Sequence, residues 1–124
     1  MKIKTLLASI VLTLVVVPAW ADEVLVTTID TNENTAAYLE ALEPLMARLE
    51  ELNPDAESEV LMATFAGTAT GLIYVAVRSK SVAEAGAVTD STDNDAEYQR
   101  LLVRVAATGR TIVSRSLLSE VSFD

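Results

Sequence analysis

Val60-Leu61-Met62-Ala63-Thr64-Phe65-Ala66 and Leu72-Ile73-Tyr74-Val75-Ala76-Val77, joined by Gly67-Thr68-Ala69-Thr70-Gly71, decide how this chain folds. Both runs are short, apolar and supplied with β-branched or aromatic residues, and the joining segment has a glycine at each end. They read as a β-hairpin. In a strand, successive side chains face opposite ways. Leu72, Tyr74 and Ala76 therefore share one face, and Ile73, Val75 and Val77 share the other. In the first run Leu61, Ala63 and Phe65 oppose Val60, Met62 and Ala66. Both faces of the hairpin are apolar, so both need cover.

Upstream, residues 24–29 (VLVTTI) predict another strand. Residues 30–34 are a polar turn, with Asn34 placed to cap a helix. Apolar residues at 38, 39, 42, 45, 46, 49 and 52 have helical spacing, so 35–52 is read as a helix. Pro44 lies inside it, where it removes the hydrogen bond to the carbonyl of Glu40. Downstream of the hairpin, residues 81–88 predict a short Ala-rich helix, and the polar residues 89–94 a separator. Asn94, with Glu97 three residues on, resembles a capping box for the next helix. That helix carries Tyr98, Leu101, Leu102 and Val105 as its apolar stripe and ends at Gly109. Residues 111–121 predict the last strand.

The order is β-α-β-β-α-β, an α+β ferredoxin-like arrangement with a four-stranded antiparallel sheet. Helices then cover one face of the sheet only. The other face should be polar in a monomer, but the hairpin makes it apolar. A symmetric homodimer built sheet to sheet resolves this, with Phe65, Tyr74 and Leu117 near the seam.

The layout resembles the dimeric α/β-barrel superfamily, which includes antibiotic-biosynthesis-type monooxygenases and NIPSNAP-like small proteins. The matching features are Tyr38-Leu39-x-x-Leu42 after the first strand, the hairpin from Phe65-x-Gly67 to Tyr74-Val75, and Asp95-x-Glu97-Tyr98 at the start of the last helix. The resemblance implies two facing sheets that enclose a cavity. Monooxygenases of that group commonly use an Asn, Trp and His set. This chain has no His, and its single Trp is Trp20. The fold is carried over by the resemblance; the oxygenase activity is not.

The N-terminus has its own pattern. Lys2 and Lys4 precede a short apolar stretch over 6–17, and Ala19-Trp20-Ala21 precedes Asp22 and Glu23. A positive start, a short apolar centre and an Ala-x-Ala site define a cleavable secretory signal over 1–21. The stretch is shorter than the roughly 20 residues of a membrane span. The chain is thus expected to be periplasmic or secreted, with one domain over 22–124. The full chain has 9 basic and 18 acidic residues; the signal takes two lysines and no acid, so residues 22–124 have a net charge near −11. That charge repels nucleic acid and anionic lipid, so neither is an expected partner. Cys is absent, which leaves stability to apolar burial without disulfides.

The absence of His and Cys removes the commonest general base, Ser-His and Cys-His pairs, His-ligated haem and most zinc and copper sites. No cofactor is expected. Asp93, Asp95 and Glu97 have alternate spacing like a calcium loop, but Tyr98 and Arg104 stand where an EF-hand needs Gly and Glu. Acids at a helix start complement its dipole, which is the simpler reading. Lys80, flanked by Ser79 and Ser81, reads as a solvated strand-end lysine. Tyr38 and Tyr98 fall on helix stripes and read as core.

Arg78 shares a face with Tyr74, while Arg115 sits within the last strand on the face of Val113 and Leu117. An arginine on an apolar sheet face can hold a carboxylate or phosphate, or serve the structure alone. The candidate ligand-binding residues are Phe65, Tyr74, Arg78 and Arg115, with no catalytic or metal-binding residue. The expected function is a non-catalytic protein, or one that binds a small, partly apolar molecule in the barrel cavity. A cofactor-free monooxygenase-like enzyme and an interaction protein using its apolar sheet face are the alternatives.

Overall fold

The computed structural model describes residues 22–64, 67–121 and 123. The signal read at 1–21 and the candidate residue Phe65 lie outside them. Strand β1 spans Glu23–Asp30, helix α1 Thr35–Leu52, β2 Glu57–Met62 and β3 Ile73–Ser79. Helices α2 (Val82–Asp93) and α3 (Ala96–Ala106) follow, and β4 (Thr111–Ser119) closes the sheet. The strands lie in the order β2-β3-β1-β4, and every neighbouring pair is antiparallel. This is a ferredoxin-like α+β fold, with two helices in the second crossover.

Four local expectations need correction. The second strand occupies 57–62 rather than 60–66: its Glu57-Ser58-Glu59 start is too polar to look like a strand, yet an edge strand tolerates charge. The polar run 89–93 is helical and lengthens α2. Its hydroxyls are satisfied within the helix: Thr89 Oγ1 donates to Ala85 O, Ser91 Oγ to Val88 O and Thr92 Oγ1 to Thr89 O. The cap of α3 is Asp95, whose side chain accepts from the Tyr98 amide, while Asn94 ends α2. Asn34 stands at the cap position of α1, but its side chain makes no cap hydrogen bond. Its Nδ2 donates instead to Thr108 O, at 3.0 Å.

The register assigns the faces. Thr27 of β1 sits opposite Val75 of β3 and Arg115 of β4, and Ile29 opposite Ile73 and Ile112. Leu25 sits opposite Val77 and Leu117. This face meets the helices. Ile29 and Ile73 form the core with Tyr38, Leu42 and Leu45 of α1 and Leu101 and Val105 of α3. Spacings of three and four along α1 put Tyr38, Leu42, Leu45 and Leu49 on one buried stripe, and the helix runs through Pro44. The opposite face carries Val24, Val26 and Thr28 of β1, with Tyr74, Ala76 and Arg78 beside them. Leu61 and Leu118 extend it on the two edge strands. No described residue of the helices covers it. All nine positions of β4 are exposed, with Ile112, Val113, Leu117 and Leu118 among them.

A clamp joins the two turns at one end of the sheet. Asn32 (φ 54°) and Glu33 (φ 73°) are both left-handed, a conformation uncommon outside glycine. The Asn32 amide donates to Asp30 Oδ1 at 2.8 Å. Its Nδ2 donates to the carbonyl of Gly109 at 2.7 Å and to Thr111 Oγ1 at 3.0 Å. Gly109 has φ 89°, which is why this position requires glycine.

A second tie joins α1 to the start of α3. Arg48 donates to Asp95 twice, from Nε to Oδ2 at 2.9 Å and from Nη2 to Oδ1 at 2.7 Å. The guanidinium, followed by the cap bond from the Tyr98 amide, lowers the Asp95 pKa from 3.8 to about 2. A carboxyl whose folded pKa is depressed adds stability above its unfolded pKa and loses it as pH falls through the folded value. Asp95→Asn keeps a capping oxygen and removes the charge. The stability gap between wild type and Asp95→Asn is therefore expected to close between pH 3.8 and about 2. Thermal unfolding midpoints across that range check it; a constant gap would refute the assignment.

Candidate functional site

A hollow of about 280 Å³ lies between the helix face of the sheet and the helices. On the α2 side it is lined by Val88, Thr89, Thr92 and Asp93, from the C-terminal half of that helix. The buried residues of α2 are Val88 and Thr92. Leu25, Thr27, Val75 and Val77 are half-buried although they lie on the covered face of the central strands. They and Leu102 of α3 form the apolar wall of the hollow.

The polar groups of the hollow come from four elements and one turn. Tyr38 (α1) and Tyr98 (α3) contribute phenols, Arg115 (β4) and Arg110 guanidinium groups, Asp93 a carboxylate and Gln99 an amide. Gln99 Nε2 is committed to Thr92 O at 2.9 Å. Among the described residues neither phenol has a hydrogen-bond partner. No fully buried side-chain polar atom is left unpaired there either, so each hydroxyl keeps some accessible surface. Burial raises the pKa of both tyrosines; Arg110 opposes this at Tyr38, and Arg115 at Tyr98, where Asp93 adds to the rise. Both phenols are consequently protonated at neutral pH and act as donors.

Residues 22–124 hold seven cationic side chains. Arg48, Arg78 and Arg100 are ion-paired. Lys80, Arg104, Arg110 and Arg115 have no ion pair among the described residues, and two of those four face the hollow. Two flatter depressions lie elsewhere. One, along Leu39, Met46 and Val60, is apolar. The other runs between α1 and α3, and its Arg48 and Arg100 are already paired with Glu51 and Glu97.

Of the sequence-predicted residues, Arg115 lines the hollow. Arg78 does not: it lies on the opposite face with Tyr74, paired with Asp22 at 3.3 Å. The two arginines therefore cannot hold one ligand within a protomer. Leu117 is also parted from Tyr74, because it sits opposite Leu25 on the helix face. Tyr38 is buried core as expected, and Tyr98 packs against that core; both also line the hollow. Arg110, Asp93 and Gln99 were not legible as site residues. The signal for Arg110 was its place directly after the helix-ending Gly109. The three acids of the calcium-like spacing diverge: Asp95 holds Arg48, Glu97 holds Arg100 at 2.6 Å, and Asp93 faces the hollow. No metal-type cluster of acids occurs among the described residues.

The chain matches no protein-family model, no curated protein and no solved structure.

Proposed function

We propose that this is an exported, non-catalytic protein of the dimeric α/β-barrel type that binds a small, partly apolar molecule, one in each protomer of a homodimer. The observation that carries the reading is the hollow itself: an apolar wall with a few convergent polar groups, the usual make-up of a small-molecule site. It lies between sheet and helices, so it does not depend on the space between two facing sheets. The protonation of its phenols supports binding over turnover, because a neutral phenol donates a hydrogen bond and is a poor base at neutral pH. The uncovered apolar sheet face and the exposed β4 support the homodimer.

The test uses neutral single-ring compounds such as phenol and toluene. Each is expected to raise the unfolding midpoint, by an amount equivalent to about 2.7 kcal/mol at one hundred times its dissociation constant. Thr27→Phe, which places a ring in the hollow from the centre of β1, is expected to abolish the shift while circular dichroism stays native. No shift with any such compound would remove the binding reading. Oxygen consumption with a quinol and no added cofactor would replace it with the enzyme reading.

A further inference from the structure

We propose that the hollow selects a monocarboxylate bearing one ring or a short alkyl chain, with Arg110 and Arg115 on the carboxylate and Tyr98 donating to it. This rests on the binding function above and specifies its ligand.

Charge is the first argument. Residues 22–124 are strongly acidic, yet the hollow gathers two arginines against the single carboxylate of Asp93. The local balance is one positive charge, which suits a monoanion better than a phosphate dianion. Neither arginine is tied to an acid of its own among the described residues. Guanidinium groups bind carboxylates through paired, charge-assisted hydrogen bonds, and an arginine left unpaired keeps that capacity for a ligand.

The second argument is the position of the phenols. Tyr38, Tyr98, Arg110 and Arg115 all line the same hollow. Protonated and without protein partners, the phenols can donate to the same anion that the arginines attract. Size is the third. A hollow of about 280 Å³ is somewhat under twice the roughly 150 Å³ that encloses a benzene. One ring or a short chain fills the apolar part and leaves room for a single anionic head.

The experiment compares phenylacetate with phenylacetamide, which has nearly the same shape and no charge, by calorimetric titration of the purified protein. The acid is expected to bind about tenfold more tightly or better, and 1 M sodium chloride to shrink the difference. Arg110→Gln and Arg115→Gln are each expected to erase the discrimination, whereas Arg78→Gln, on the other face, should leave it. Equal affinity for acid and amide overturns the carboxylate assignment and leaves small-molecule binding standing. A preference lost in Arg78→Gln and kept in Arg115→Gln moves the anion site to the other face and likewise overturns it. Failure of both compounds to bind at millimolar concentration overturns the assignment and the binding function together.

Discussion

Ile73→Ala is expected to cost about 2–5 kcal/mol of folding stability. Ile73 is 1% exposed, the lowest value in the core, and lies between Ile29 of β1 and Met62 of β2. It lines none of the surface depressions itself, and truncation there leaves a cavity whose cost adds to the lost burial. Ile73→Val removes one methylene and should cost about 0.5–1.5 kcal/mol. A domain of this size has about 5–15 kcal/mol in total, so the alanine variant should unfold at a markedly lower urea concentration. Urea unfolding with an unchanged slope checks the pair. Equal midpoints for wild type and Ile73→Ala would mean that the sheet does not seat on α1 as described.

One residue along, the expected result is of another kind. Tyr74 points to the uncovered face, opposite Thr28 and Leu61. On the proposed homodimer, Tyr74→Asp places an unpaired charge in a dry seam, at a cost of about 3–5 kcal/mol. That is a rise of roughly a hundredfold to several thousandfold in the dissociation constant. The folded protomer should lose little, since the side chain faces solvent once the partner leaves. Light scattering across a concentration series, with circular dichroism in parallel, separates the two effects. A wild type that is monomeric at micromolar concentration with its fold intact would end the face-to-face model. Adjacent residues thus report on different levels of organisation: Ile73 on the protomer and Tyr74 on the assembly.

The order of elements was legible because their patterns differ. The apolar stripe at 38, 42, 45 and 49 is helical, and Ile73-Tyr74-Val75-Ala76-Val77 is a short unbroken apolar run rich in β-branched and aromatic residues. What failed was local chemistry that has two solutions. Thr89, Ser91 and Thr92 belong to residue types that favour turns, yet each bonds back to its own helix. Asn94 and Asp95 can both cap, and the bidentate hold of Arg48 favours Asp95.

The site was less legible for a geometric reason. Alternation shows which residues of one strand share a face, but relating two strands requires their register. Arg78 and Arg115 looked equivalent in sequence. Pairing through β1 puts Arg78 beside Val24 and Arg115 beside Thr27, two positions on opposite faces. The shift at Thr28/Ile29 takes Val113 out of the ladder and brings Ile112 onto the face of Arg115. The hollow is lined from three helices and three strands at once, and no single periodicity displays such a meeting.

The clamp between the two turns also bears on the timing of folding. Asn32 and Asn34 are held by groups 74 to 79 positions later in the chain, and β1 finds its partners only in β3 and β4. A chain that emerges N-terminus first carries β1 unpaired until β3 appears, and the Asn32 turn open until Thr111 appears. Closing such distant contacts is slow, because the loop entropy is spent before the contacts form. The last strand therefore acts as the latch of the fold.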